Sequence, residues 1–219
     1  MRLSDGNSDS LSADSKWVMG LTGFNLHNLI FLPTGTADRH NTINLGTLGN
    51  HWGNWLPNGH QILFLGNEPG YGSRIYLMDF PQARPRPVTA EGVGVVNYTY
   101  FCSPDGQSFL GLDSERNSVA YSVQSGEGKS VPGLNSAEGA FGWPGDGKSV
   151  YVYRPAVPVL VYRVELNTGH RQLWKELNPA DPAGINFIRT PHISVDGKAY
   201  AYNYYDRILF DLYPVDGLK

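Results

Sequence analysis

Apolar residues alternate with short polar turns along the whole chain, and the combined pattern repeats. Five times a turn is anchored on an acidic or amide residue, with apolar positions three residues before it and four residues after it. The anchors are Asp14, Asn58, Asp105, Asp146 and Asp196, at spacings of 44, 47, 41 and 50 residues. A period of this length is typical of the blades of a β-propeller.

Each anchor predicts a tight hairpin between two strands. An Asx side chain bonds to its own backbone, and the glycine that follows in four of the five units supplies a positive φ. The segments after the turns, such as 61–65 and 148–153, are rich in β-branched and aromatic residues and predict a second strand. A third strand, as in 73–78, and a weaker, polar fourth strand, as in 86–92, follow in most units. Four strands per unit make a propeller blade.

We therefore predict an all-β fold, a β-propeller of about five four-stranded antiparallel blades that forms a single domain over residues 1–219. The approximate units are 7–46, 47–92, 93–134, 135–177 and 178–219. The fifth unit ends after its third strand, and residues 1–6 match the pattern of a fourth strand. We expect this N-terminal segment to complete the fifth blade as a latch. The alternative is an array whose earlier blades lie upstream of Met1.

Composition and charge narrow the classes of function. The chain is 41% hydrophobic and 17% charged, which is typical of a compact domain. Its net charge of −3 offers no concentrated basic face, so we expect no nucleic-acid partner. No stretch approaches the roughly 18 apolar residues of a membrane span, so we expect no membrane insertion by this segment.

Signatures of catalysis and metal binding are missing from the sequence. There is no Gly-x-Ser-x-Gly elbow, and the six histidines show no pair at the spacing of metal ligands. We therefore predict no catalytic residue, no metal and no cofactor. The single cysteine, Cys102, holds the same place relative to its turn as Trp55 and Trp143, which predicts a small buried hydrophobic residue.

Two phrases, 102–106 (Cys-Ser-Pro-Asp-Gly) and 194–198 (Ser-Val-Asp-Gly-Lys), resemble the WD-type repeat of TolB-like propeller proteins. The C-terminal run through 198–204 and 207–213 resembles the closing blade of propellers fused behind bacterial serine/threonine kinases. Residues 174–184 resemble the penultimate blade of that group. The resemblance implies a non-catalytic propeller tail, which is extracytoplasmic if the kinase is anchored in a membrane. The chain itself has no kinase motif.

These observations favour a non-enzymatic binding or scaffold module for a protein or small ligand, as the sensor part of a signalling protein. The segments 49–54, 92–98 and 178–186 are predicted as loops that cluster on one rim of the propeller, and loops of a rigid scaffold commonly carry binding. The predicted contact residues in or near them are Trp52, Tyr98, Tyr100, Arg189 and His192. For the large aromatic residues, packing between blades is the competing interpretation.

Two enzymatic alternatives stay open at this point. Five-bladed propellers also include glycoside hydrolases, which place two or three carboxylates in the central funnel. Asp9, Glu138 and Glu91 are the carboxylates available for that role. The other alternative is the propeller cap of a prolyl-oligopeptidase-type hydrolase, which gates access to a separate catalytic domain.

Overall fold

The computed structural model describes residues 7–21, 27–35, 41–81, 84–95, 102–134, 138–194 and 196–206. Within these residues the chain forms seventeen β-strands and no helix. The strands are β1 (Asn7–Leu11), β2 (Trp17–Leu21), β3 (Asn28–Pro33), β4 (Asn41–Asn44), β5 (Gly49–Trp55), β6 (Gln61–Asn67), β7 (Arg74–Asp79), β8 (Arg86–Pro87), β9 (Ser108–Leu112), β10 (Ser118–Ser122), β11 (Gly128–Ser130), β12 (Gly139–Gly142), β13 (Ser149–Tyr153), β14 (Val159–Glu165), β15 (Arg171–Leu177), β16 (Ile185–Ile193) and β17 (Tyr200–Asp206).

The strands form five antiparallel sheets, each made of strands that follow one another in the sequence. Their orders are β1-β2-β3-β4, β5-β6-β7-β8, β9-β10-β11, β12-β13-β14-β15 and β16-β17. In the third blade an isolated β-bridge between Cys102 and Phe109 stands at the place of the inner strand. The protein is a five-bladed β-propeller, which confirms the predicted fold class. The predicted latch, residues 1–6, and its partner strand around Ile208 lie outside the described residues, so the latch stays a prediction.

The anchor residue closes each inner hairpin with its own side chain. In all five hairpins its Oδ1 accepts a hydrogen bond from the backbone N–H two residues further on, at 2.9–3.1 Å. In three of them a serine two residues before the anchor donates its hydroxyl to the same carboxylate, at 2.5–2.7 Å. That hydroxyl also accepts a hydrogen bond from the backbone across the hairpin, at 2.9–3.0 Å. The three serines are Ser12, Ser103 and Ser194. The turns are therefore fixed by local hydrogen bonds.

The residue after the anchor adopts the left-handed conformation in every copy. Its φ lies between 62° and 76° at the four glycines Gly59, Gly106, Gly147 and Gly197. In the first copy Ser15 takes the same position with a φ of 58°. The turn geometry therefore requires a positive φ, and the first hairpin meets this requirement with a residue that is strained there.

The hydrophobic core lies between the blades, and the second strands of the three central blades each pack against both neighbours. In β6, Ile62 and Phe64 pack with Phe31 of the first sheet, whereas Leu63 packs with Phe109 of the third sheet. The same alternation recurs in β9 and β13. Successive side chains of a strand point to opposite faces, so a strand between two neighbours is apolar at nearly every position.

Replacing Ser15 with glycine is expected to stabilise the protein by about 1 kcal/mol. A left-handed conformation costs an L-residue about 1–2 kcal/mol, and the extra backbone freedom that glycine loses on folding offsets part of the gain. Gly147→Ser is the matched control, because an added Cβ there meets no atom within 4 Å, so it should lower stability by a similar amount. Urea unfolding of both variants and the parent measures these changes. Equal stability of all three proteins would contradict the strain at Ser15.

The anchor carboxylates make the fold sensitive to acid. The Ser103 hydroxyl and the backbone N–H of Gln107 lower the pKa of Asp105 below its ordinary value of 3.8. The stability that comes from such a group is present above its unfolded-state pKa and is lost as the pH falls through the lowered value. Asn58 makes the same backbone bond with a neutral amide. Asp105→Asn should therefore give a shallower rise of unfolding free energy between about pH 3 and 5. Urea titrations across this range test the prediction, and an unchanged slope would refute it.

Candidate functional site

The residues predicted for a binding rim lie in different sheets where they are described. Trp52 is on β5 and packs, partly buried, against the core between the second and third sheets. His192 is exposed on β16, and Arg189 belongs to the same strand. Tyr98 and Tyr100 lie outside the described residues. The contacts of Trp52 fit packing between blades, and the rim as a whole stays a prediction.

One segment predicted as a loop belongs to a strand instead, whereas most of a second segment is a loop as predicted. Residues 49–54 lie within β5, and β16 begins at Ile185, so only 178–184 precedes that strand. The prediction was wrong because β5 is rich in glycine and asparagine, which normally indicate turns. This strand lies at the inner end of its sheet, and its register shifts between Asn50 and Trp52. Small polar residues are tolerated at such an irregular strand.

The two described carboxylates among those considered for a glycosidase pair with arginines of different blades. Glu91 and Glu138 belong to different sheets, and the side chain of Asp9 is not among the described residues. Arg74 donates a 2.5 Å hydrogen bond to Glu91, and this bond lowers the pKa of that carboxyl. A general acid needs a pKa near the working pH, so Glu91 is poorly suited to that role.

Glu138 forms the most elaborate charged cluster of the described chain. It is 8% exposed and directly precedes β12. Arg171, the first residue of β15, donates from its two terminal nitrogens to the two carboxylate oxygens, at 2.9 and 2.7 Å. The same guanidinium donates to the backbone oxygen of Gly133 at 3.0 Å and lies 4.8 Å from the ring centre of Tyr162. The bidentate ion pair offsets the cost of burying Glu138 within the fourth blade, and the bond from Arg171 to Gly133 ties this blade to the third.

A cleft of about 630 Å³ opens beside this ion pair. Its lining residues are Glu138, Arg154, Ala156, Pro158, Leu160, Tyr162 and Arg171. Nε of Arg154 lies 3.8 Å from Oε1 of Glu138, and the Arg154 side chain is 59% exposed. Leu160 is also exposed, at 40%. Two guanidinium groups and one carboxylate leave a net positive charge next to an aliphatic wall, which is a combination that suits ligand binding.

Two further clefts lie between blades on the side of the anchor turns. One, of about 350 Å³, includes Arg86, and the other, of about 730 Å³, includes Lys129. The two residues hold equivalent positions on the outer strands, because Arg86 pairs with Leu77 and Lys129 pairs with Ala120. Nζ of Lys129 donates to Asn167 across the larger cleft, at 2.8 Å. This lysine therefore joins two blades, and these clefts lack the exposed apolar wall of the Glu138 cleft.

The described part of the chain offers little support for a metal site or a nucleophilic cysteine. No three His, Cys, Asp or Glu side chains there lie close enough to share a metal ion. Burial raises the pKa of Cys102 to about 12, so its thiol is a poor nucleophile. The residues described also contain no helix long and apolar enough to cross a membrane.

Comparison with solved structures identifies the fold. A putative TolB from Agrobacterium tumefaciens matches with a TM-score of 0.69 at 17% identity, over 94% of this chain and 73% of that one. The chain has a TolB-like β-propeller fold. TolB from Acinetobacter baumannii matches with a TM-score of 0.61 at 16% identity, over 92% of this chain and 54% of that one. Oligogalacturonate lyase from Vibrio parahaemolyticus matches with a TM-score of 0.60 at 11% identity, over 90% of this chain and 59% of that one.

These similarities concern the fold alone. No protein-family model matches the sequence, and no curated protein matches it significantly. The TolB-like chain spans between about half and three quarters of the length of the three solved structures. Function must therefore be argued from the site.

Glu138→Gln is expected to destabilise the protein by about 2 kcal/mol, because it leaves the Arg171 guanidinium partly buried without its charge partner. Glu91→Gln is the matched control, since Glu91 also pairs with an arginine but is 46% exposed at its side chain. Its loss should cost clearly less stability, because solvent screens an exposed ion pair. Urea unfolding at pH 7 of both variants measures the difference. A smaller loss for Glu138→Gln than for Glu91→Gln would contradict the structural role of the buried pair.

Proposed function

We propose that this TolB-like propeller is a non-catalytic binding module and that the Glu138 cleft is its ligand site. The observation that carries the proposal is the cleft itself. It combines a buried, fixed ion pair, an exposed arginine and an exposed aliphatic wall in one concave surface. Binding sites are typically concave and mostly apolar, with a few polar groups that fix the orientation of the ligand.

The proposal extends to the context of the module. The resemblance of residues 174–184 and of the C-terminal run to propellers fused behind bacterial kinases supports a role as the sensor part of a signalling protein. In that role a protein or a small ligand occupies its cleft, and the propeller acts outside the cytoplasm if the kinase is anchored in a membrane. The rigid ring presents the site, and the response belongs to another part of the signalling protein.

A fragment screen by NMR tests the site. The isotope-labelled chain is mixed with small compounds that include neutral, cationic and anionic members. We expect at least one class to shift the signals of Arg154, Leu160 and Tyr162 in a saturable way. Leu160→Asp should abolish these shifts, because it places a charge in the apolar wall.

Lys129→Gln is the control, since it removes a polar side chain from a different cleft. It should leave binding at the Glu138 cleft unchanged. If no compound of any class perturbs the cleft, or if Leu160→Asp leaves all binding intact, the cleft is not the ligand site.

A further inference from the structure

The two arginines of the Glu138 cleft are used differently. The guanidinium of Arg171 is engaged by contacts within the protein. Both of its terminal nitrogens bond to Glu138, one of them also bonds to Gly133, and its face lies over Tyr162. Arg154 approaches Glu138 through Nε at 3.8 Å, and its side chain is 59% exposed. The guanidinium of Arg154 is therefore the accessible cationic group at the opening of the cleft.

A guanidinium presents a planar fork of N–H donors that matches a carboxylate in two parallel hydrogen bonds. Oε1 of Glu138 lies 3.8 Å from Nε of Arg154, and this attraction favours guanidinium orientations that keep Nε near the carboxylate. This restraint reduces the side-chain freedom that a ligand must otherwise remove on binding. Glu138 and Arg171 thus act as positioning residues, and Arg154 as the group that contacts the ligand.

The charge balance of the cleft favours a ligand with a single negative charge. Among the lining residues one carboxylate and two guanidinium groups sum to a net charge of +1, which a monoanion neutralises, and Glu176, which pairs with Leu160 on the neighbouring strand, adds a further negative charge beside the wall. A dianion such as phosphate leaves a net negative charge beside the buried carboxylate of Glu138, and like charges repel strongly in partly desolvated surroundings.

The other half of the cleft defines the remainder of the ligand. Ala156, Pro158 and Leu160 form an aliphatic surface next to Arg154, and Leu160 is 40% exposed. An apolar group that covers this surface removes it from water, which favours binding by roughly 25 cal/mol per Å² of buried area. The cleft volume of about 630 Å³ is in the range of sites for small organic molecules.

We infer that the Glu138 cleft binds an organic monocarboxylate with an aliphatic side group, with the carboxylate on Arg154 and the aliphatic group on Leu160. The inference rests on the proposed function and gives it a ligand class. A free aliphatic acid and the C-terminal residue of a peptide share this chemistry. The test below includes probes for both sources.

The test compares acids with their neutral amides. Isothermal titration calorimetry with 4-methylpentanoate and 4-methylpentanamide, and with N-acetyl-leucine and its amide, measures how much the carboxylate contributes. Each acid should bind at least tenfold more tightly than its amide. At about pH 8, where inorganic phosphate is mostly a dianion, a tenfold excess of phosphate should not compete with the acid.

Substitutions test whether Arg154 and Leu160 make the proposed contacts with the acid. Arg154→Gln should reduce the acid to the affinity of the amide, and Leu160→Ser should weaken acid and amide by similar factors. Lys129→Gln removes a positive charge outside this cleft and should preserve the preference for the acid. Thermal unfolding of each variant confirms that it is folded.

The possible outcomes separate the inference from the proposed function. If acid and amide bind equally, or if phosphate displaces the acid, the monocarboxylate inference is overturned while binding at the cleft stands. If neither probe binds although other fragments occupy the cleft, the ligand class is wrong. If no compound of any kind binds there, the proposed function fails as well. A peptide with a free C-terminal leucine that binds far more tightly than N-acetyl-leucine identifies a peptide C-terminus as the source, and equal affinities identify a small acid.

Discussion

The structure depends on the burial of second strands between two neighbouring blades. In β6, β9 and β13 both faces are covered, so none of these three blades completes its own core. Stability in such an array comes from interfaces between adjacent repeats as well as from each repeat. The outer parts of neighbouring blades also lie in close contact. A Cβ at Gly126 would lie only 1.7 Å from the backbone oxygen of Val88 in the preceding blade, and only glycine fits there.

The repeat and its hairpins were predictable because their causes are local. An anchor such as Asp105 bonds to its own backbone and is followed by a residue with a positive φ, so the sequence marks the turn directly. The inner strand β5 was not predictable in the same way. Its glycines and asparagines resemble a loop, and only pairing with β6 across an irregular register makes the segment a strand. Because this stabilisation comes from the neighbouring strand and not from the residues of β5, the sequence of β5 alone does not mark it as a strand.

The candidate site could not be predicted from the sequence, for a similar reason. Glu138 was recognised as a carboxylate near an inner strand, but its role depends on Arg171, 33 residues away at the start of β15. A sequence-based interpretation treats β15 as a polar outer strand, where an arginine is expected to face water. The fold instead brings this arginine back across Tyr162 to a buried carboxylate. The fold brings the buried acid and its counterion together, and their separation in the sequence gives no sign of this contact.

The two arginines of the Glu138 cleft have different roles. Arg171 holds the fold, and Arg154 faces the proposed ligand position. Arg171 joins Glu138 and Gly133, and so it belongs to the contact between the third and fourth blades. Arg154 shares the same carboxylate but is mostly exposed, so its replacement leaves the interface between blades in place. Any ligand held by Arg154 also acts on Glu138, and binding to the native state alone stabilises that state by mass action. A ligand bound at Arg154, as proposed, would therefore stabilise the native state that includes the contact between the two blades, although the two roles use different arginines.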